Sequence, residues 1–292
     1  MKALLLVAVS IVLVGANVSQ VPQRSPFRYP GGKTWLIPQV RRWLSSLDQR
    51  PHLLIEPFAG GATVSLTAVA EALVVKARFA ELDADVATVW NCILSEDGAK
   101  LQRRIAEFKI PKNGVIELLE AATKRRNPIK RALSVLIRNR LSHGGIIAPG
   151  AGLLREGEAG RGLLSRWYPE TLSRRIEAIR LLRGRLLFSH QDGFELLAEY
   201  KHWKSAVAFV DPPYVVKGRR LYQHWSVDHT KLFKLMSEFR GEFLMTYDDA
   251  PEIRKLSRDF GFQTCKVAMK TTKHSVKMEL LIGRNLEWSS KQ

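Results

Sequence analysis

The stretch that most constrains this chain is Val207-Ala-Phe-Val-Asp-Pro-Pro-Tyr214. Four apolar residues, two of them β-branched, form the pattern of a short buried strand. Asp211 follows at once, and Pro212 and Pro213 then forbid both helix and ladder, so the strand ends there. A carboxylate, stiff backbone carbonyls and the Tyr214 ring are thereby gathered at a strand's carboxyl end. That is where open α/β sheets bind their ligands. A simple strand-ending turn with a solvated Asp would need only Asp-Pro; the whole tetrad behind an apolar strand points to a site.

Other runs repeat the theme of a strand closed by a polar turn. Leu53-Leu-Ile55 leads into Glu56-Pro-Phe-Ala-Gly-Gly-Ala62, and Thr63 to Ala77 reads as helix. A strand, a glycine turn and a helix make the first nucleotide-binding unit of a Rossmann-like fold, the glycines letting backbone approach a ligand. Arg78-Phe-Ala-Glu-Leu-Asp83 reads as a second strand, ending in acid about 20 residues beyond the glycines, where a carboxylate suits a ribose diol. Arg185 to Ser189 resumes the sheet and is followed by Asp192-Gly193-Phe194 and a helix from Glu195 to Tyr200. Residues 228–239 read as helix, and residues 243–247, 262–269 and 279–282 as the last strands. Gly32-Lys33-Thr34 looks like the end of a phosphate-binding loop, but Phe27 stands where that motif needs glycine and no strand precedes it. Residues 35–47 then carry Leu36, Val40, Trp43, Leu44 and Leu47 at helical spacing. The expected fold is α/β, with a Rossmann-like sheet.

Charge sets one segment apart. The 292 residues hold 46 Lys and Arg against 28 Asp and Glu, a formal +18, which favours a polyanionic partner. Residues 100–185 alone contain 20 Lys and Arg and 7 Asp and Glu. Their pattern predicts helices over 101–108, 114–126, 129–141 and 170–183, with a glycine-rich loop over 143–162. This is expected to be a mainly helical insertion that grips nucleic-acid phosphates, with Arg125, Arg126, Arg138, Asn139 and Arg140 as candidate contacts. It divides the domain that carries the Asp211 tetrad into a first part, 24–99, and a second, 186–292. Residues 217–229 are basic and aromatic and read as a loop. Cys92 and Cys265 lie in no metal-binding or redox spacing. Residues 1–23 form an apolar extension that reads as a secretory signal, a packed N-terminal helix or translated sequence upstream of a misplaced start.

The ordered motifs resemble the Dam-type, D12-class DNA adenine-N6 methyltransferases. Pro26-Phe-Arg-Tyr-Pro-Gly-Gly-Lys33 is similar to the family's N-terminal cofactor motif, Glu56 to Ala62 to its glycine motif, and Asp211-Pro-Pro-Tyr214 to its catalytic tetrad. Arg138-Asn-Arg140 and Thr246-Tyr-Asp-Asp249 are also similar to family segments. The resemblance spans about residues 24–285. It implies an S-adenosylmethionine-dependent methyltransferase sheet carrying a helical DNA-recognition module, and transfer of a methyl group to N6 of adenine in double-stranded DNA. It implies Asp211, Pro212, Pro213 and Tyr214 as catalytic, and Tyr29, Lys33, Phe58, Gly60, Glu81, Asp192 and Asp211 as cofactor contacts. The family usually has Asp at the position of Glu81. Gly60-Gly61-Ala62 also departs from the common pattern, which has glycine at the first and third positions. The resemblance further implies no metal, no membrane, a cytoplasmic monomer and room for a cognate restriction endonuclease as a separate protein.

The chemistry of the residues agrees. Asp211 and the Pro212 carbonyl can accept the two N–H bonds of an exocyclic amine, and Tyr214 can stack on an extruded base. N4 of cytosine fits the same tetrad, and an RNA methyltransferase or a catalytically dead DNA-binding protein are further alternatives. Methylation at cytosine C5 would need a Cys nucleophile, usually after Pro; neither Cys follows one.

Overall fold

The structure, a computed structural model, describes residues 12–13, 20–28, 32–110, 126–145, 147, 152, 165–213, 227–270 and 276–290. Tyr29, Tyr214, Arg125, residues 114–125 of the helix expected over 114–126 and most of the two expected loops lie outside the described residues.

The described strands form one sheet: β1 (Val12–Leu13), β2 (Leu53–Glu56), β3 (Lys76–Glu81), β4 (Leu186–His190), β5 (Ala206–Val210), β6 (Phe243–Asp248), β7 (Gln263–Lys270) and β8 (Val276–Gly283). Their order across the sheet is β1-β7-β8-β6-β5-β2-β3-β4. Strands β2 to β6 run parallel, while β8 is antiparallel to both β6 and β7. The chain builds outward from β2 through β3 to β4, then crosses back to lay β5 and β6 on the other side of β2. That reversal between β2 and β5 opens a crevice at their carboxyl ends. Two residues of the N-terminal apolar run, Val12 and Leu13, pair in parallel with Lys266 and Val267 and so extend the sheet at its β7 edge.

The strands alternate cleanly between two cores. Leu54, Phe79, Val207, Phe209 and Leu244 face one, and Leu53, Ile55, Ala208, Val210 and Met245 face the other. All five residues of β5 are buried, as expected for a central parallel strand covered on both faces. The first core is roofed by α1 (Ile37–Ser45), α2 (Thr63–Ala70), α3 (Ala84–Leu94), α4 (Gly98–Glu107), α5 (Pro128–Leu141) and α6 (Pro169–Leu181). The second is covered by α7 (Gly193–Tyr200), α8 (His229–Glu238) and α9 (Pro251–Asp259).

Helices α4, α5 and α6 belong to the basic insertion, yet Leu101, Ile105, Leu136 and Ile176 join the same buried cluster as Phe79 and Trp90. The insertion therefore shares a core with the sheet rather than standing apart from it. The helix expected to run to Ala77 stops at Ala70: Ala72 turns left-handed at φ 54°, and β3 begins at Lys76. Trp43, Val40 and Leu36 are buried as their helical spacing requires.

Candidate active site

Register brings the site together. Val210 of β5 is aligned with Met245 of β6, so the next residues, Asp211 and Thr246, meet across the strand ends. The Thr246 hydroxyl donates to Asp211 Oδ1 at 2.7 Å. The other carboxylate oxygen, Oδ2, lies 2.9 Å from Lys33 Nζ. Lys33 opens a short 3-10 turn leading into α1, and its side chain is only 5% exposed, with Glu279 Oε2 of β8 3.9 Å away. A half-buried carboxylate is thus fixed at both oxygens, one by a hydroxyl and one by an ammonium. Its rotamer is set before any substrate arrives.

The glycine turn after β2 is built around two other carboxylates. Glu56, at the end of β2, is 4% exposed and accepts the Ser65 N–H of α2 at 2.8 Å. Burial pushes its pKa up to about 7; the hydrogen bonding at Ser65 opposes this and the negative charge of Asp211 adds to it. Glu81, at the end of β3, accepts backbone N–H groups from Gly60, Leu82 and Asp83 at 2.8–2.9 Å. Burial raises its pKa as well. The Trp90 indole donates to Gly60 O at 2.9 Å, which closes the turn from below. Gly60 and Ala62 both adopt left-handed backbone, at φ 49° and 47°. The first turn of α2 then turns its Val64 and Ser65 N–H groups onto Glu56.

Asp192 caps α7 by accepting the Phe194 N–H at 2.7 Å. The following Gly193 lies so close to the glycine turn that a Cβ there would stand 2.6 Å from Pro57 O and 2.9 Å from the Phe58 ring. Phe58 and Phe194 meet edge to face with ring centroids 6.0 Å apart. Phe58, Gly60, Glu81, Asp192 and Asp211 therefore stand at or just beyond the carboxyl ends of β2, β3, β4 and β5, with Lys33 against Asp211. Pro212 is buried and Pro213 half-buried beside Asp211.

The residues expected on DNA divide. Arg126 is exposed and Arg138 half-buried. Asn139 and Arg140 point inward instead. Asn139 is fully buried and spends its amide on the Arg28 N–H, Arg28 O and Gly145 O at 2.7–2.8 Å. Arg140, 9% exposed, donates to Pro26 O at 2.8 Å, and burial together with the charges of Arg175 and Arg28 lowers its pKa to about 10. In this structure both side chains are committed within the protein. The reason is local: on α5 they fall on the side that packs toward residues 26–28, which composition alone does not reveal.

Sequence reasoning passed over Glu56 and Glu279, and it did not connect Thr246 or Lys33 with Asp211. The signal for Thr246 was available in the register of β5 and β6. Tyr247, one residue on, faces the opposite core, with its hydroxyl 3.0 Å from His229 Nδ1. Among the described residues no group of three His, Cys, Asp or Glu side chains is arranged to hold a metal ion.

Residues 29–272 match the family model described as D12 class N6 adenine-specific DNA methyltransferase. No curated protein sequence matches the chain significantly. Among solved structures, the PH1948 protein from Pyrococcus horikoshii aligns with a TM-score of 0.42 at 11% identity, covering 91% of this chain and 92% of its own. The rRNA methyltransferase aviRa from Streptomyces viridochromogenes aligns with a TM-score of 0.42 at 13% identity, covering 92% and 93%.

Proposed function

Because the chain belongs to the D12 class of N6 adenine-specific DNA methyltransferases, we propose that it transfers a methyl group from S-adenosylmethionine to N6 of adenine in double-stranded DNA. The observation that carries this reading is Asp211, held at both oxygens by Thr246 and Lys33 at the sheet's reversal point.

An exocyclic amine on an aromatic ring is a weak nucleophile because its lone pair is delocalised. In this reading Asp211 and the Pro212 carbonyl accept its two N–H bonds and turn the lone pair out of the ring plane, toward the methyl donor. Tyr214 stacks on the extruded base, a contact worth roughly 1–3 kcal/mol. In-line positioning supplies up to about 7–11 kcal/mol of the barrier reduction. Bound in the crevice, S-adenosylmethionine supplies a methyl group already activated on a sulfonium.

The donor set of the crevice suits that cofactor. The Glu81 carboxylate has about four acceptor positions and gives three of them to backbone N–H groups, which leaves one for a ribose hydroxyl. Asp192 stands at the adenine end, and Tyr29, Lys33, Phe58 and Gly60 complete the contacts. The exposed cations of the insertion, Arg126 among them, hold the DNA backbone.

The test is transfer of labelled methyl from S-adenosylmethionine to duplex DNA, followed by nucleoside analysis. N6-methyladenine is expected; N4-methylcytosine would move the target to the other amine that fits the tetrad, and label in RNA alone would displace DNA as substrate. Asp211→Asn should lower the rate by at least about 10³-fold while duplex binding stays within about twofold. Near-parental transfer by that variant would sink the assignment of Asp211.

A further inference from the structure

The segment Ser25 to Arg28, just ahead of Lys33, is held by the insertion residue by residue. Arg175 of α6 donates to Ser25 O at 3.2 Å, and Arg140 of α5 donates to Pro26 O at 2.8 Å. Asn139 accepts the Arg28 N–H at 2.8 Å and donates to Arg28 O at 2.8 Å, so one amide satisfies both peptide groups of a single residue as a neighbouring strand would. The same amide donates to Gly145 O at 2.7 Å, tying the turn after α5 into the clamp. Gly145, at φ 78°, lies so close that a Cβ there would stand 2.1 Å from Arg28 O. From the other side Phe27 packs on Trp90, ring centroids 5.9 Å apart, and Trp90 holds Gly60 O of the glycine turn.

These contacts have a direction. Five residues beyond Arg28, the Lys33 ammonium sits 2.9 Å from Asp211 Oδ2. Through Phe27 and Trp90 the same segment also bears on Gly60 of the glycine turn. The insertion also holds α3, where Arg131 pairs with Asp85 at 2.7 Å near the start of that helix.

We infer that Asn139, seconded by Arg140 and Arg175, is a positioning residue for the cofactor end of the active site: the insertion sets the segment 25–28, and through it Lys33. The inference rests on the function proposed above and goes beyond it by assigning Asn139 to cofactor binding rather than to DNA. Replacing Asn139 removes its bonds to the Arg28 N–H, Arg28 O and Gly145 O together. The cost falls on the conformation that binds cofactor.

The experiment measures S-adenosylmethionine affinity by calorimetry, duplex affinity without cofactor, and steady-state KM and kcat, in the parent and in Asn139→Ala, Asn139→Asp and Arg175→Met. Asn139→Ala is expected to weaken cofactor binding on the order of tenfold, raising the cofactor KM more than it lowers kcat, while duplex affinity stays within about twofold. Asn139→Asp keeps only the acceptor for the Arg28 N–H and sets a carboxylate oxygen against Arg28 O and Gly145 O, so it should weaken cofactor binding at least as much as Asn139→Ala. Arg175→Met removes one peripheral bond and should weaken cofactor binding by about two- to threefold, which keeps the inference testable if Asn139→Ala does not fold. Unchanged cofactor affinity in a folded Asn139→Ala or in Arg175→Met would overturn the inference and leave the proposed function standing. Loss of duplex affinity with cofactor affinity intact would overturn it too, and return Asn139 to the DNA surface. Failure of the parent to bind S-adenosylmethionine would sink the proposed function, and this inference with it.

Discussion

Thr246 holds Asp211 through a single hydroxyl, and that bond separates positioning from chemistry. Thr246→Val keeps the shape and removes the donor, so kcat should fall about tenfold with duplex affinity unchanged; presteady-state methyl transfer measures this directly. Glu56 gives a pH signature. Its pKa is raised from 4.5 unfolded to about 7 folded. The folded state therefore keeps its proton between those values while the unfolded state loses it, and stability drains away as pH rises through that window. Glu56→Gln removes the drain and should be more stable than the parent by roughly 3 kcal/mol at about pH 8, with little difference near pH 4, as read from urea melts. At this scale the sequence made Asp211, Glu81 and the glycines legible because each closes an apolar strand with a polar turn. Glu56 was harder to single out: its environment comes from α2 folding back over it, not from its neighbours in the chain.

Helix ends decide several of the elements. Ala72 sits just past α2 with a left-handed backbone and an exposed side chain, a position where glycine carries no Cβ penalty. Ala72→Gly should stabilise the protein by about 1 kcal/mol in thermal or urea unfolding. Arg284 closes α8 by donating to Met236, Ser237 and Phe239 carbonyls and to Gly241 O, with its guanidinium 5.1 Å above the Phe243 ring. Arg284→Ala should cost about 2 kcal/mol in the same measurement, because four carbonyls lose their donor together. The strands and most helices were legible from period and punctuation. The expectation of one helix over 63–77 overran because Val74 and Val75 lie close to helical spacing, and only the break at Ala72 shows that they lead into β3. Helix α9 escaped notice because just Ile253 and Ser257 of its nine residues are buried, leaving little apolar pattern to read.

For the molecule as a whole, the excess of positive charge overstates the surface open to a polyanion. Arg140 and Arg175 turn inward to backbone carbonyls, and Arg131 and Arg183 pair with Asp85 and Glu96. Lys100, Arg103 and Arg104 are exposed and line a concavity on α4 with Glu107 and Ile129. The logarithm of duplex affinity should fall linearly with the logarithm of salt, with the slope of roughly 6–10 phosphate contacts rather than of every cation in the insertion. The double substitution Arg103→Ala, Arg104→Ala should flatten that slope by about 1–2. An unchanged slope would place the DNA on another face. The clamp on Arg28 has a practical meaning for exchanging specificities between relatives. A chimera that replaces residues 100–185 wholesale removes the side chains that seat Pro26 and Arg28, whatever sequence the incoming module reads. A graft that keeps Asn139, Arg140, Gly145 and Arg175, and changes only the exposed cations and the segments between them, keeps its own Lys33 in place.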